Sequence, residues 1–539
     1  NNDANKALFL LTDKVLPFTS NAQLQGFVMA TNIAIKQNQP LDALRFITLA
    51  KRLEAANHPQ QVNTLSSLRA SALEQLANWP AATKERLKLS LSLSITEREE
   101  NHLLLWQDIQ NLTDSEVIYL QNSQDSLLQG WLTISTILRQ KDTTIEKQNS
   151  LFSQWQTDNP VHPAAAMPPQ DFVIMAGLEQ SAPNTITLVL PLTGQLAKAS
   201  KAILDGFMSA YYQQPTPRAT LKLINTDEFS SMQETLSHAI ETNPDVLIGP
   251  LKKNNVAQLN NLELPVPLIA LNQLEQQNAK ANLYYFSLNA EDEIHELLKF
   301  AQRENASHTA ILTTQDTWAL RQGEEFRNII ATNNKVKLLT NIDFENTPKG
   351  RQNAIKQLLL VNESQARKKW LENALGSKLE AQDRSRKDLD YVFFAGRLED
   401  AKQIRPLLDF YFAEKIPLLA TSTINNSKPS KLTKDADIER IIFSEIPALT
   451  NPRIQQEAVN DSDANIIKRL KAMGSDAFLL ANRHAIFKQI PTAKMSGLTG
   501  ILTMDQQQVF RKRPELVMYK KGKLINAKDE KALLGGENP

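Results

Sequence analysis

The 539-residue sequence has no cysteine. Thiolate catalysis, disulfides and cysteine-ligated metals are excluded with it. It also has no apolar run approaching the ~18 residues that a membrane-spanning helix needs. Net charge is almost absent: 60 basic against 59 acidic side chains leave +1, which argues against general nucleic-acid binding. Enzyme motifs are missing too, with no G-x-S-x-G elbow, P-loop, G-x-G-x-x-G or H-E-x-x-H. The histidines stand at 58, 102, 162, 238, 295, 308 and 484. No two have the helical spacing of a metal pair. Carboxylates cluster at Glu99/Glu100, Glu324/Glu325, Asp388/Asp390 and Asp461/Asp463. These are sequence neighbours, whereas acid–base work needs two groups converging across a cleft. The expectation is a non-enzyme without metal or cofactor.

What is present divides the chain. Its length is too great for one core, so two to four domains are expected. Residues 1–157 read as successive helices. Ala7, Leu8, Leu11 and Val15 form one apolar stripe, Leu41, Leu44, Ile47 and Ala50 another, and Leu65, Leu68, Ala72 and Leu76 a third. A weak repeat accompanies them: Ile35-Lys-Gln-Asn-Gln-Pro40 resembles Gln75-Leu-Ala-Asn-Trp-Pro80. A helix pair of this kind cannot bury its own stripe, so neighbours stack, which predicts an all-α, tetratricopeptide-like domain. Prolines 160, 163, 168 and 169 then predict a stiff junction over 158–182.

From 183 to 539 strands alternate with helices. Strands are predicted at Ile186–Leu190, Leu221–Ile224, Val246–Ile248, Pro267–Leu271, Thr309–Leu312, Tyr391–Phe394 and Ile416–Leu419. Helices are predicted at Ala199–Tyr212, Ser231–Glu241, Glu291–Glu304, Arg321–Ala331 and Ala401–Phe412. The alternation specifies helices on both faces of a parallel sheet, and its length specifies two lobes.

The opening unit, Ile186-Thr-Leu-Val-Leu-Pro-Leu-Thr-Gly194 running into a helix, puts a turn at a strand's carboxyl end, where open parallel sheets bind ligands. With Asp245-Val-Leu-Ile-Gly-Pro-Leu251 it resembles the type I periplasmic binding proteins, the leucine/isoleucine/valine-binding family. The resemblance implies one lobe over 183–302 and 423–500 and another over 303–422 and 501–530. It also implies a cleft whose amides and small hydroxyls hold a ligand's carboxylate and amine. The matching positions are Thr193, Gly194, Lys253, Asn254 and Asn272. Lys252, Lys253 and Asn254 stand where amino-acid binders offer Ser or Thr, which favours a retained fold with a lost or altered ligand, though Lys253 could recognise an anion. Gly474–Leu480 and Gly497–Gly500 also resemble late segments of that family, in structural roles.

Helical repeats ahead of such a fold are an uncommon order. Together with the junction Trp155-Gln-Thr-Asp-Asn-Pro-Val-His-Pro-Ala-Ala165, it resembles the penicillin-binding protein activators, outer-membrane lipoproteins of Gram-negative bacteria. The resemblance implies a regulator of peptidoglycan synthesis on the periplasmic side of the outer membrane. It would bind a bifunctional class A penicillin-binding protein through its C-terminal domain and stimulate transpeptidation, the helical domain giving reach. The alternative is a periplasmic solute-binding or sensing protein that closes on a small ligand. The chain begins Asn1-Asn-Asp-Ala without a lipid-bearing cysteine, so a soluble form lacking its anchor is expected. A charged insert, Ser364–Asp390, carries seven basic and five acidic residues. It reads as a solvated helical excursion or as a partner contact built on Arg367, Lys368 and Trp370.

Overall fold

The computed structural model describes residues 19–140, 143–179, 181–274, 279–332, 335–380, 385–426, 437–451 and 463–527. The stripe Ala7, Leu8, Leu11 and Val15 lies outside them. The chain divides into two units, residues 1–182 with 483–496, and residues 183–482 with 497–538.

Among the described residues the first unit opens with two alike helix hairpins, Ser20–Lys36 with Pro40–Ala50 and Pro59–Gln75 with Trp79–Ser90. After the first helix of each, Asn38 and Ala77 turn left-handed, at φ 54° and 53°. The amides of Gln39 and Asn78 then reach back to the Ala34 and Leu73 carbonyls, at 2.8 and 2.9 Å. Both closures satisfy helix-end carbonyls by one bonding pattern. Pro40 and Pro80 follow in first turns, where a missing N–H breaks no helical bond. The Gln75 amide donates to the Ile35 carbonyl at 2.8 Å, tying one hairpin to the next. Leu24, Phe27, Phe46 and Leu65 share one buried cluster. The weak repeat in the sequence is thus a repeat of turn chemistry.

The described residues of the proline-rich stretch 158–182, read from the sequence as a stiff junction, are folded. Pro163–Ala166 and Gln170–Ala176 are short helices, and Phe172 and Met175 are buried. His162 explains the motif around it. Its Nδ1 accepts from the Ala164 amide at 3.2 Å, and its Nε2 lies 3.1 Å from the Leu127 carbonyl. The ring stands edge-on to Trp131 and Trp155, with centroids 5.2 and 4.9 Å away. A Cβ on Gly130 would lie 2.4 Å from that ring, so this glycine makes the space for it. Residues 483–496 also belong to this unit, where the family resemblance put them in a lobe. Arg483 donates to Gln148 Oε1 at 2.5 Å and to the Thr143 carbonyl at 2.9 Å.

The second unit has the two-lobed α/β fold. One sheet runs, neighbour to neighbour, Ile501–Met504, Val509–Arg513, Leu283–Phe286, Leu268–Ala270, Val246–Ile248, Thr185–Leu190, Thr220–Asn225. The other runs Lys523–Asn526, Glu515–Lys520, Ile441–Glu445, Leu418–Ala420, Tyr391–Ala395, His308–Thr314, Lys337–Phe344. Pairing is parallel through the centre of each, and antiparallel where 501–504 meets 509–513 and where 515–520 meets its two neighbours. Two lobe assignments are therefore corrected. Strand Ile441–Glu445 lies in the second sheet, and the 501–513 hairpin in the first. The chain crosses between sheets after Phe286, after Glu445 and after Arg513. A tight reversal between Met504 and Val509 keeps both strands of the hairpin in one sheet, so the crossing falls later than expected.

The long helix Asn465–Gln489 crosses Ala197–Gln213 with backbones touching. A Cβ at Gly206 would lie 1.8 Å from the Lys471 carbonyl oxygen, and one at Gly474 1.9 Å from that of Ile203. Two residues on from Gly474, Asp476 accepts from the Leu498 and Thr499 amides, at 2.6 and 2.8 Å, and from the Thr499 hydroxyl at 2.6 Å. The segments Gly474–Leu480 and Gly497–Gly500 hold one another.

Candidate functional site

Strand Thr185–Leu190 ends in Pro191-Leu-Thr-Gly194. Thr193 is extended there and Gly194 has φ +65°, a turn that favours glycine. The Asn225 side chain accepts from the Leu192 amide at 2.9 Å, which pins this loop to the end of the next strand. The second loop leaves Val246–Ile248 through Gly249, at φ 112°, where an added Cβ would lie 2.0 Å from the Val189 carbonyl oxygen. Only glycine lets the two loops come this close. Between them lies a cavity of about 690 Å³ lined by Thr193, Gly194, Asp227, Lys252, Lys253 and Asn254, among others.

Four of the five expected cleft residues are therefore together, and one is not. Asn272 donates from Nδ2 to the Leu251 carbonyl at 2.9 Å and accepts from the Gln273 amide at 2.9 Å. Its amide braces the second loop from behind and does not line the cavity. Asp227 was missed. Its Oδ2 accepts from the Thr193 amide at 3.0 Å and from the Thr193 hydroxyl at 2.8 Å, and its Oδ1 pairs with Lys252 Nζ. Burial pushes its carboxyl up, but the hydrogen bonds from Lys252 and Thr193 together hold it below the usual range. Two donors of the first loop, the Thr193 amide and hydroxyl, are thus engaged by a carboxylate.

A second polar centre lies where the lobes meet. Helix Ala290–Arg303 packs Ile294, Leu297 and Phe300 into the core of the second sheet. Its first turn is held to the first sheet: Arg511 donates to Glu291 at 2.6 Å, and Lys512 Nζ to the Asn289 carbonyl at 2.9 Å. Buried Glu293 accepts from the Ser422 amide at 2.6 Å and hydroxyl at 3.0 Å, and from the Ser444 hydroxyl at 2.5 Å. Arg469 of the long helix pairs with both Glu445 oxygens, at 3.0 and 2.6 Å, and donates to the Ser422 carbonyl at 2.8 Å. Glu445 is 0% and Arg469 4% exposed. Asn425 completes the group, donating to Glu445 at 2.7 Å and accepting from the Tyr519 hydroxyl at 2.6 Å. The sequence analysis missed this centre; the signal that could have found it is the Ser-Glu pair closing the otherwise apolar Ile441–Glu445.

Glu325 faces the same region from helix Thr317–Ala331. Burial, then repulsion from Glu291 and Glu293, pushes its carboxyl up to about 7, against the opposing pull of Lys512. A folded pKa above the unfolded one means a contribution fully present below about 4.5 and lost as pH rises through about 7. Glu325→Gln removes that ionisation penalty. Above pH 7 the variant should be more stable than the parent by roughly 1–3 kcal/mol, the advantage fading below the unfolded carboxyl range. Thermal melts across the pH range read this directly, and equal Tm values on the alkaline side would refute it.

The insert carries Arg367, Lys368 and Trp370 on helix Val361–Leu375, opened by Leu360 at φ 56° and closed by Gly376 at φ 65°. Trp370 is 68% and Leu375 63% exposed. Exposed apolar side chains grouped this way, among cations, are a feature of contact surfaces. Among the described residues no helix is long and apolar enough to cross a membrane.

Comparison with known proteins extends over nearly the whole chain. The family model for LppC putative lipoprotein matches residues 1–522. The chain is 27% identical over 472 residues to penicillin-binding protein activator LpoA of Vibrio antiquarius, covering 85% of this chain and 77% of that protein. It is 26% identical over 530 residues to LpoA of Vibrio cholerae, covering 95% and 86%. Full-length LpoA from Haemophilus influenzae superposes with a TM-score of 0.52 at 19% identity, over 98% of this chain and 92% of that one. The C-domain of the same protein, a regulator of PBP1A, superposes with a TM-score of 0.50 at 20% identity, over 64% and 99%.

Proposed function

Because the chain belongs to the LppC lipoprotein family, we propose that it is a non-catalytic activator of peptidoglycan synthesis. In this reading it binds a bifunctional class A penicillin-binding protein from the periplasmic face of the outer membrane and stimulates its transpeptidase. The match across both units to proteins named as penicillin-binding protein activators carries the proposal. The structure supports it from the other side. A solute-binding protein needs donors available at its cleft, and here the Thr193 amide and hydroxyl are held by Asp227. The second unit then acts as a docking body and the stacked hairpins of the first as reach. Attachment to the outer membrane is part of the proposal.

The test is a lipid II polymerisation and cross-linking assay with a purified class A penicillin-binding protein. Adding the chain should raise the cross-linked fraction. No rise, together with no binding in a pull-down, would sink the activator reading and favour the solute-sensing one. Within the activator reading, helix Val361–Leu375 is the proposed contact. The triple variant Arg367→Glu, Lys368→Glu, Trp370→Ala should weaken binding to the synthase at least tenfold, an anchor's share of interface energy. Its Tm should stay unchanged, since Trp370 is mostly solvent-facing. Unaltered affinity would remove this helix from the interface and leave the activator role standing.

A further inference from the structure

The cluster around Asp227 is built like a receptor for one carboxylate. A backbone amide and a hydroxyl, both from Thr193, meet one oxygen, and an ammonium, from Lys252, meets the other. The donors come from two different loops, while the carboxylate comes from a third element, the turn after strand Thr220–Asn225. That turn is itself fixed: Asn225 Oδ1 accepts from the Asp227 amide at 3.2 Å and from the Leu192 amide at 2.9 Å. The Asp227 side chain is 14% exposed, although it borders an open cavity of about 690 Å³.

We propose that Asp227 is a built-in occupant of a small-carboxylate site, a plug that closes this part of the cleft to anionic solutes in the native chain. Ion pairing alone would not require such a site. An exposed Lys–Asp pair contributes only about 0–1 kcal/mol and needs no amide or hydroxyl partner. Here three donors converge on one group, and charge-assisted bonds of this kind are roughly twice as strong as neutral ones. A tethered group also has an effective concentration in the millimolar range or above, so a free carboxylate at lower concentration does not displace it. The site is therefore complete, and the chain itself fills it. Neither step rests on what the protein activates.

Removing the plug tests this. Asp227→Ala should lower the Tm of the full chain. Sodium acetate, but not sodium chloride at equal ionic strength, should restore most of the loss by taking the vacated place. The parent should show no acetate-specific shift, and Asp227→Ala with Lys252→Ala should lose the response. If the alanine variant does not fold, Asp227→Ser empties the site while keeping a small polar side chain in the turn, and acetate should raise its Tm as well. A chloride-like response in the foldable variant, or an equal acetate response in the parent, overturns the proposal. Failure here would leave the cross-linking assay unaffected, so the two readings are separately exposed to refutation.

Discussion

Replacing Gly474 with alanine should lower the stability of the second unit by on the order of 3 kcal/mol, a result opposite in sign to the ordinary one. Mid-helix glycine is worse than alanine by about 1 kcal/mol, so at a solvated position the substitution stabilises. Here the added methyl would sit 1.9 Å from the Ile203 carbonyl oxygen and 2.9 Å from the Phe207 nitrogen. Both are backbone atoms of the crossing helix, so no rotamer change relieves the contact. The helices must part, which loosens the packing of Ile203, Phe207 and Phe478, all buried. Overpacking of this kind typically costs about 1–3 kcal/mol, and more where nothing can yield. At roughly 2–4 °C per kcal/mol for a domain of this size, calorimetry should show the transition moving down by several degrees. Gly206→Ala should behave alike. The double variant should lose less than the two singles together, because one separation of the helices serves both. A raised Tm for either single variant would mean that the helices do not touch.

Arg469→Met should be at least as damaging, for an electrostatic reason. It leaves the Glu445 carboxylate at 0% exposure, with Asn425 and the Ile446 amide as its remaining donors among the described residues. Breaking a buried pair from one side costs roughly 3–5 kcal/mol, whereas replacing both members by neutral groups is often close to neutral. Arg469→Met with Glu445→Gln should therefore recover much of what Arg469→Met loses, a difference that denaturant melts of the parent, the two single variants and the double variant resolve. Equal losses in the single and the double variant would show that packing around the methionine, and not the stranded charge, sets the effect.

Local structure was largely legible in the sequence. Ile186–Gly194 and Asp245–Leu251 stood out because an apolar run meets Pro or Gly at its end. The helix hairpins showed through Pro40 and Pro80 because the same turn was solved twice. Pairing over long separations was not legible. Leu283–Phe286 is four residues long, Lys337–Phe344 is only partly buried, and Ile441–Glu445 ends in polar residues. The lobe boundaries failed with them, since which sheet a strand joins depends on partners far along the chain. The cleft shows the same division. Thr193, Gly194, Lys253 and Asn254 could be placed from the turns they occupy. Asn272 could not, because its amide closes its own neighbourhood. Asp227 is 34 positions from Thr193, and nothing short-range announces that the two meet.

The glycine crossing has a mechanical meaning. Side chains between packed helices act as a compliant layer that takes up small displacements by changing rotamer. Between Gly206 and Gly474 that layer is missing, and the same long helix grips the second sheet through Arg469 and Glu445. A force applied to the second lobe is thus delivered to the helix of the first with little slack, as through a stiff strut. A two-lobed body braced in this way transmits a push from one side to the other, and bending it at this helix demands breaking the glycine crossing or the Arg469–Glu445 grip.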